Sequence, residues 1–270
     1  MSAPSSFVDI RHGDRDYRIE YRWVHGERVN APVIVFLHEG LGSVSMWKDW
    51  PSEVCSALGM RGLVFSRYGY GKSTPRPDAE RWTPEFLFEQ ARDALPAVLR
   101  GVGIDAKRDR PVILGHSDGA SIGLIYAALY PDSLSSLIVL APHVVVEDVS
   151  IQSIAAAREA YLNTDLPRRL ARYHASPDSA FWGWNDVWLS PAFRAWSIES
   201  LLPRITCPVM AVQGVDDEYG TLDQVRIIRR RTPQTLLAIL DDCRHSPHKD
   251  QPVELAKQLK GFLQAQLQHT

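Results

Sequence analysis

The sequence predicts an α/β protein built on a mostly parallel twisted sheet, with helices on both faces and an inserted helical cap. Three observations carry this reading. Short, continuously apolar runs recur at residues 32–37, 62–65, 111–114, 137–140, 208–212 and 235–240, the pattern of strands covered on both faces. Stretches of helical length separate most of them, and right-handed crossovers then place those helices on both sides of one sheet. The rhythm stops between about 144 and 203, where no strand signal appears.

In chain order, residues 7–12 and 16–24 alternate polar and apolar around His12-Gly13-Asp14, which predicts an antiparallel pair with one face in water. Helices are expected over 46–58, 84–100, 118–130, 222–231 and 252–268, the second opened by Thr83 as N-cap with Pro84 next. The interval 144–203 holds two or three helical stretches punctuated by Pro167, Pro177 and Pro191. Four of the eight tryptophans fall in it (Trp182, Trp184, Trp188, Trp196), with Tyr161, Tyr173, Phe181 and Phe193. Most of this aromatic surface should pack cap onto body, and the rest could wall an apolar pocket. The expected organisation is a core of 1–143 and 204–270 with a cap of 144–203. In such a sheet the ligand crevice lies beyond the carboxyl ends of the strands, so function belongs in the loops that follow them.

Composition narrows the partners. The 270 residues are 45% hydrophobic and 23% charged, and 30 basic against 32 acidic side chains leave a net charge of −2. No block of five like charges occurs, so neither nucleic acid nor an anionic membrane is an expected partner. Cys55, Cys207 and Cys243 are odd in number and widely spaced, which argues against a disulfide framework or zinc ribbon and for reduced thiols. The first thirty residues lack a secretory apolar run and no 18-residue apolar run follows, so a soluble cytoplasmic protein is expected. Nothing in charge or composition sets an oligomeric state.

The informative segment is 111–123, read as strand, sharp turn, helix, with Gly115-His116-Ser117-Asp118-Gly119 at its centre. This is the G-x-S-x-G nucleophile elbow, in which a strained turn raises a serine and flanking glycines give it room. Ala120, Ser121 and Gly123 keep the early helix turns small, and the helix N-terminus offers partial positive charge to a developing oxyanion. A serine hydroxyl needs an imidazole to take its proton and a carboxylate to orient that imidazole. Asp216-Asp217-Glu218 follows the strand at 208–212, and His245 and His248 follow the last strand, giving the order Ser, Asp, His that the elbow predicts.

With these motifs the chain resembles the α/β-hydrolase superfamily, from about residue 30 to the end, and the resemblance implies the α/β-hydrolase fold with its cap after the sixth strand. It implies Asp217 as the acid, three residues past the glycine ending its strand, ahead of Asp216 and then Glu218. It implies His245 as the base, ahead of His248, since Cys243-Arg244-His245 resembles the family's Cys-Gly-His with arginine for glycine. It also implies an oxyanion hole from the backbone amides of Gly40 and Asp118. Glu39 stands where the family has glycine, and is expected to face solvent or a structural partner, or else to contact substrate or handle a proton. His38 is expected to be structural.

Other motifs fail. Tyr68–Ser73 imitates a phosphate loop, yet Ser66 stands where its first glycine belongs. In the resemblance this is the turn after the fourth strand, with Ser66 and Tyr68 replacing its acid and arginine. A metal cluster on His245 and His248 lacks ligand periodicity, and no dinucleotide fingerprint follows a strand. The expectation is therefore a cofactor-free, metal-free serine hydrolase cleaving a small carboxylic ester or thioester, with an apolar or aromatic small molecule as partner. A carbon–carbon bond hydrolase of a ring-fission diketone is the alternative within the fold, and a ligand receptor the alternative outside catalysis. Arg168, Arg169 and Arg172 form a solvated helix face or a grip on a phosphorylated carrier.

Overall fold

β-Branched and leucine-rich runs become the centre of an eight-stranded sheet ordered β1-β2-β4-β3-β5-β6-β7-β8. The strands are β1 (Ser6–His12), β2 (Arg15–Val24), β3 (Val33–Leu37), β4 (Arg61–Phe65), β5 (Val112–His116), β6 (Ser136–Leu140), β7 (Val209–Gly214) and β8 (Thr235–Leu240). The computed structural model describes residues 4–12 and 15–267, so Gly13 and Asp14 of the expected turn and Gln268 of the last expected helix lie outside the described residues. β1 pairs antiparallel with β2 and β2 antiparallel with β4, while every pairing from β4 to β8 is parallel.

Every residue of β3, β5, β6 and β7 is buried, as continuous apolar runs require. β8 departs from the expectation. It is the sheet's edge, and its Leu236 and Ile239 are 46% and 41% exposed. Two apolar clusters fill the space above and below the sheet. One gathers Val35, Leu37, Leu63, Ile113 and Val139 with the helices Asp118–Leu129 and the run 86–101. The other gathers Ile34, Phe36, Val64, Leu114 and Val212 with Trp47, Trp50 and the helix Pro252–Leu267.

Two helices begin later than the sequence predicts. The first spans Trp50–Leu58, because Pro51 lacks an N–H and is accommodated only in a first turn. The second starts at Phe86, with Thr83 reaching the Glu85 amide at 3.3 Å. Within it Gln90–Ala94 widens into a π-turn just ahead of Pro96, which cannot donate to the residue-92 carbonyl and would collide with it in a regular helix.

Between β6 and β7 lie the helices Asp148–Asn163, Leu166–Leu170 and Pro177–Trp188 and a 3-10 turn, Pro191–Ala195. The base of this insertion is closed by a bridge between Val145 and Ser197 and by the Ile198 amide donating to Val144. Its aromatics stack on one another, Tyr161 on Phe181 at 3.8 Å and Phe193 on Trp196 at 5.2 Å. His174 ties it to the body: Nδ1 accepts from the Gly71 amide and Nε2 donates to the Leu41 carbonyl, both at 2.9 Å. Burial lowers the His174 pKa, in keeping with this neutral one-donor, one-acceptor role. Arg168 and Arg169 are exposed and face Asp165 at 3.3 and 3.2 Å.

Candidate functional site

The parallel register brings the carboxyl ends of β3, β5, β6, β7 and β8 to one edge of the sheet, Leu37 opposite Gly115, His116 opposite Leu140, and Gly214 opposite Leu240. The loops leaving β3, β5, β7 and β8 carry Gly40, Ser117, Asp217 and His245. Ser117 sits between β5 and the helix Asp118–Leu129 with φ 53° and ψ −120°, a left-handed conformation costly for any residue with a Cβ. The flanking glycines are obligatory. A Cβ on Gly115 would lie 2.2 Å from the Gly119 carbonyl oxygen, and one on Gly119 would lie 2.1 Å from that of Leu37.

Far apart in sequence, three side chains meet. The Ser117 hydroxyl lies 2.9 Å from His245 Nε2, and His245 Nδ1 lies 2.8 and 3.0 Å from the two Asp217 carboxylate oxygens. With Nδ1–H donating to the carboxylate, Nε2 is left to accept the serine proton. Asp217 is itself fixed: its oxygens accept from the Tyr219 amide at 2.8 Å and the Gln213 side-chain amide at 2.7 Å. Burial alone would raise its pKa. The hydrogen bond and charge of His245, with the Tyr219 amide, outweigh that and hold it below the usual carboxylate value.

The competing candidates go elsewhere. Asp216 is exposed on the loop, and Glu218 accepts from the His245 backbone amide at 3.2 Å. His248 is buried against Trp47 and Trp50, with ring centroids 5.1 and 5.2 Å apart. Arg244, in the family's glycine position, directs its side chain outward to Glu218 at 3.5 Å and is 69% exposed. Among the described residues no three His, Cys, Asp or Glu side chains are grouped to hold a metal ion.

The loop after β3 faces Ser117. Gly40 lines the same cavity, and a Cβ there would fall 2.3 Å from the Trp184 indole nitrogen, so only glycine lets Trp184 close over it. His38 is wholly buried, with Nδ1–H donating to the Glu39 carbonyl at 2.7 Å and Nε2 accepting from the Arg67 amide at 3.0 Å. Burial and the nearby Arg67 charge lower its pKa well below normal, so it is a neutral structural histidine.

Glu39 turns to a partner beside Ser117. Its carboxylate lies 3.5 Å from His116 Nδ1, while His116 Nε2 donates to the His245 carbonyl at 2.7 Å. Burial alone would raise the Glu39 pKa, but His116 and the charge of Lys249 hold it well below normal. The pair therefore joins the loop after β3, the elbow and the loop that carries His245. Asp118 is 1% exposed; its carboxylate accepts the Trp188 indole N–H at 3.1 Å and lies 3.9 Å from Arg67. Burial raises its pKa even so.

Arg67 and Glu20 replace the pair missing from the turn after β4. Glu20, on β2, accepts from the Ser66 hydroxyl at 2.8 Å and the Lys72 amide at 2.9 Å. Arg67, one residue before the expected arginine position, donates to the Glu39 carbonyl at 2.9 Å and lies over the Tyr70 ring. The turn thus serves as structural support for the loop after β3.

The cavity at Ser117 holds about 110 Å³ and is walled by Leu41, Ile154, Trp184, Trp188, Tyr219 and His143. A wider depression of about 710 Å³ lies at the opposite end of the sheet, between 96–108 and 126–133, and includes none of the candidate residues. His143, which the sequence reading did not single out, stands three residues past the end of β6, at a strand end where site residues are expected.

Known proteins share this fold. A family profile described as the alpha/beta hydrolase family matches residues 34–258. The human serine hydrolase BPHL is 24% identical over 208 residues, covering 73% of this chain and 67% of its own. The putative carbamate hydrolase RutD of Caulobacter sp. (strain K31) is 25% identical over 241 residues, covering 81% of this chain and 86% of its own. A carboxylesterase structure from the thaumarchaeon Nitrososphaera gargenis superposes with a TM-score of 0.76 at 17% identity, covering 97% of this chain and 100% of its own. The profile spans most of the sequence, from the start of β3 into the final helix, and on that match the chain belongs to the alpha/beta hydrolase family of enzymes.

Proposed function

We propose that the protein is a serine hydrolase cleaving a small carboxylic ester or thioester through an acyl-enzyme. The supporting observation is the unbroken chain from the Ser117 hydroxyl to His245 to Asp217, at 2.9 and 2.8 Å. In this reading Ser117 Oγ attacks the carbonyl carbon as His245 takes its proton, and Asp217 steadies the imidazolium. The amides of Gly40 and Asp118 bind the oxyanion of the tetrahedral intermediate. Collapse breaks the bond to the alcohol or thiol, which leaves with the proton from His245. Water then adds to the acyl group with His245 again as base, releasing the acid and free Ser117. The insertion 144–203 is the cap of the site, supplying Ile154, Trp184 and Trp188 to the wall.

Covalent labelling tests this directly. A fluorophosphonate should add once per chain, and peptide mass mapping should place the adduct on Ser117; a labelled protein modified elsewhere, or none at all, would remove the assignment.

Cavity size narrows the substrate. About 110 Å³ is less than the 150 Å³ or so that encloses a benzene, so it favours an acyl group of a few heavy atoms over a ring-fission diketone. Among p-nitrophenyl esters, kcat/KM should peak between acetate and butyrate and fall about tenfold or more at octanoate. A profile rising steadily to octanoate would contradict the small cavity.

A further inference from the structure

One wall of the cavity carries a polar group that the triad does not use. His143 is 3% exposed and sits with Ser117, Trp188 and His245 around the cavity, its ring 5.0 Å from Trp188 and 5.8 Å from His245. Its backbone is clamped on both sides: the Ser121 hydroxyl donates to its carbonyl at 2.7 Å and accepts from its amide at 3.2 Å. The preceding Ala141 has φ 47°, so the turn that delivers His143 is itself constrained. Yet Nδ1 is buried without a hydrogen-bond partner among the described residues.

Such an orphan has a chemical consequence. Burial and the neighbouring His245 charge lower the His143 pKa to about 3, so near neutrality the ring carries one N–H. A buried donor without an acceptor costs more than a bare lone pair, so the proton belongs on Nε2, the nitrogen not sealed away. Among the described residues no lysine or arginine lines the cavity, so an anionic group on the substrate would be left unpaired there. An oxygen that accepts without carrying charge fits both conditions.

Resting on the serine-hydrolase reading above, we propose that His143 is a specificity-determining residue, whose Nε2–H binds an uncharged acceptor oxygen, ether, keto or hydroxyl, within the acyl group of the substrate. The acyl half is assigned because it stays bound to Ser117 through both steps, and the cavity has room for only one half. The preferred substrates are therefore short oxygen-bearing acyl esters rather than plain alkyl ones.

The test compares two isosteric pairs of p-nitrophenyl esters, methoxyacetate against butyrate and 3-methoxypropanoate against pentanoate. Each ratio of kcat/KM is divided by the ratio of the esters' alkaline hydrolysis rates, which removes intrinsic reactivity. For at least one pair the wild type should prefer the oxygen ester by about three- to tenfold, the range of one neutral hydrogen bond. His143→Leu should bring that preference to about one, and His143→Gln, which keeps a donor, should retain part of it. Because both esters meet the same nucleophile, any effect of the substitution on His245 cancels in the ratio. No wild-type preference for either pair overturns the proposal even if no variant folds, and so does a preference that survives in His143→Leu. Wild-type protein that fails to label at Ser117 overturns the hydrolase reading and the subsite with it; labelling at Ser117 with no preference overturns the subsite alone.

Discussion

Replacing Ser117 by alanine is expected to lower kcat/KM for a short ester by about 10⁶-fold, and His245→Ala by a similar factor, while Asp217→Asn should cost about 10⁴-fold. The asymmetry follows from geometry. Ser117 and His245 exchange the proton across the 2.9 Å contact, so neither works without the other. Asp217 contributes by holding Nδ1–H toward itself; asparagine in its place can donate to Nδ1 and so put the imidazole proton on the wrong nitrogen. Asp217 is also held by the Gln213 side chain and the Tyr219 amide, so its substitution should leave the loop in place. The double variant Ser117→Ala/Asp217→Asn should be no slower than Ser117→Ala alone, because the three residues act as one unit. Turnover in purified Ser117→Ala within tenfold of wild type would remove the nucleophile. Circular dichroism spectra matching the wild type would show that the fold is not what was lost.

The meeting of Ser117, Asp217 and His245 is legible in the sequence because each residue is announced locally: the elbow by its glycines, the carboxylate and the histidine by their places just past an apolar run. A parallel sheet then brings all its carboxyl ends to one edge, so residues 117, 217 and 245 converge without any pairwise signal. What was hidden depends on neighbours that the local sequence does not name. β8 reads like β6, yet among the described residues no strand lies beyond it, so Leu236 and Ile239 meet water. Ser66 and Tyr68 suggested a turn without its charges; the charges are present, but Glu20 comes from another strand and Arg67 from the next position along. Glu39 is unplaced by the sequence, and only the fold reveals His116 beside it. His143 has no motif at all. Its signals are a place just past a strand end and a buried ring nitrogen with nothing to bond, and the second is visible only in three dimensions.

Mild acid should destabilise this fold long before its carboxylates titrate. In the unfolded chain an imidazole takes up a proton near pH 6.5, whereas burial lowers the pKa to about 3 for His143 and about 2 for His248. Between those values the unfolded state binds more protons, so the stability these histidines contribute is whole above pH 6.5 and is lost as the pH falls below it. The limiting slope is about 1.4 kcal/mol per pH unit for each, which amounts to about 2 kcal/mol apiece between pH 7.5 and 5. Two such residues remove about 4 kcal/mol, a large share of the 5–15 kcal/mol or so that holds a typical domain folded. His38 and His174, also lowered by burial, act in the same direction. His248 isolates the effect: its Nδ1 has no hydrogen-bond partner among the described residues, and Trp47, Trp50 and His116 surround it, so phenylalanine can keep its aromatic contacts without a titrating nitrogen. Urea unfolding of wild type and His248→Phe at pH 7.5, 6 and 5 should show the variant gaining about 2 kcal/mol relative to wild type across that range. The comparison cancels every shared group, including Asp118, whose raised pKa works in the opposite sense. Parallel pH curves for the two proteins would mean that the folded state already accommodates a charged His248. Burial beside Trp47 and Trp50 would then not be what keeps that ring neutral.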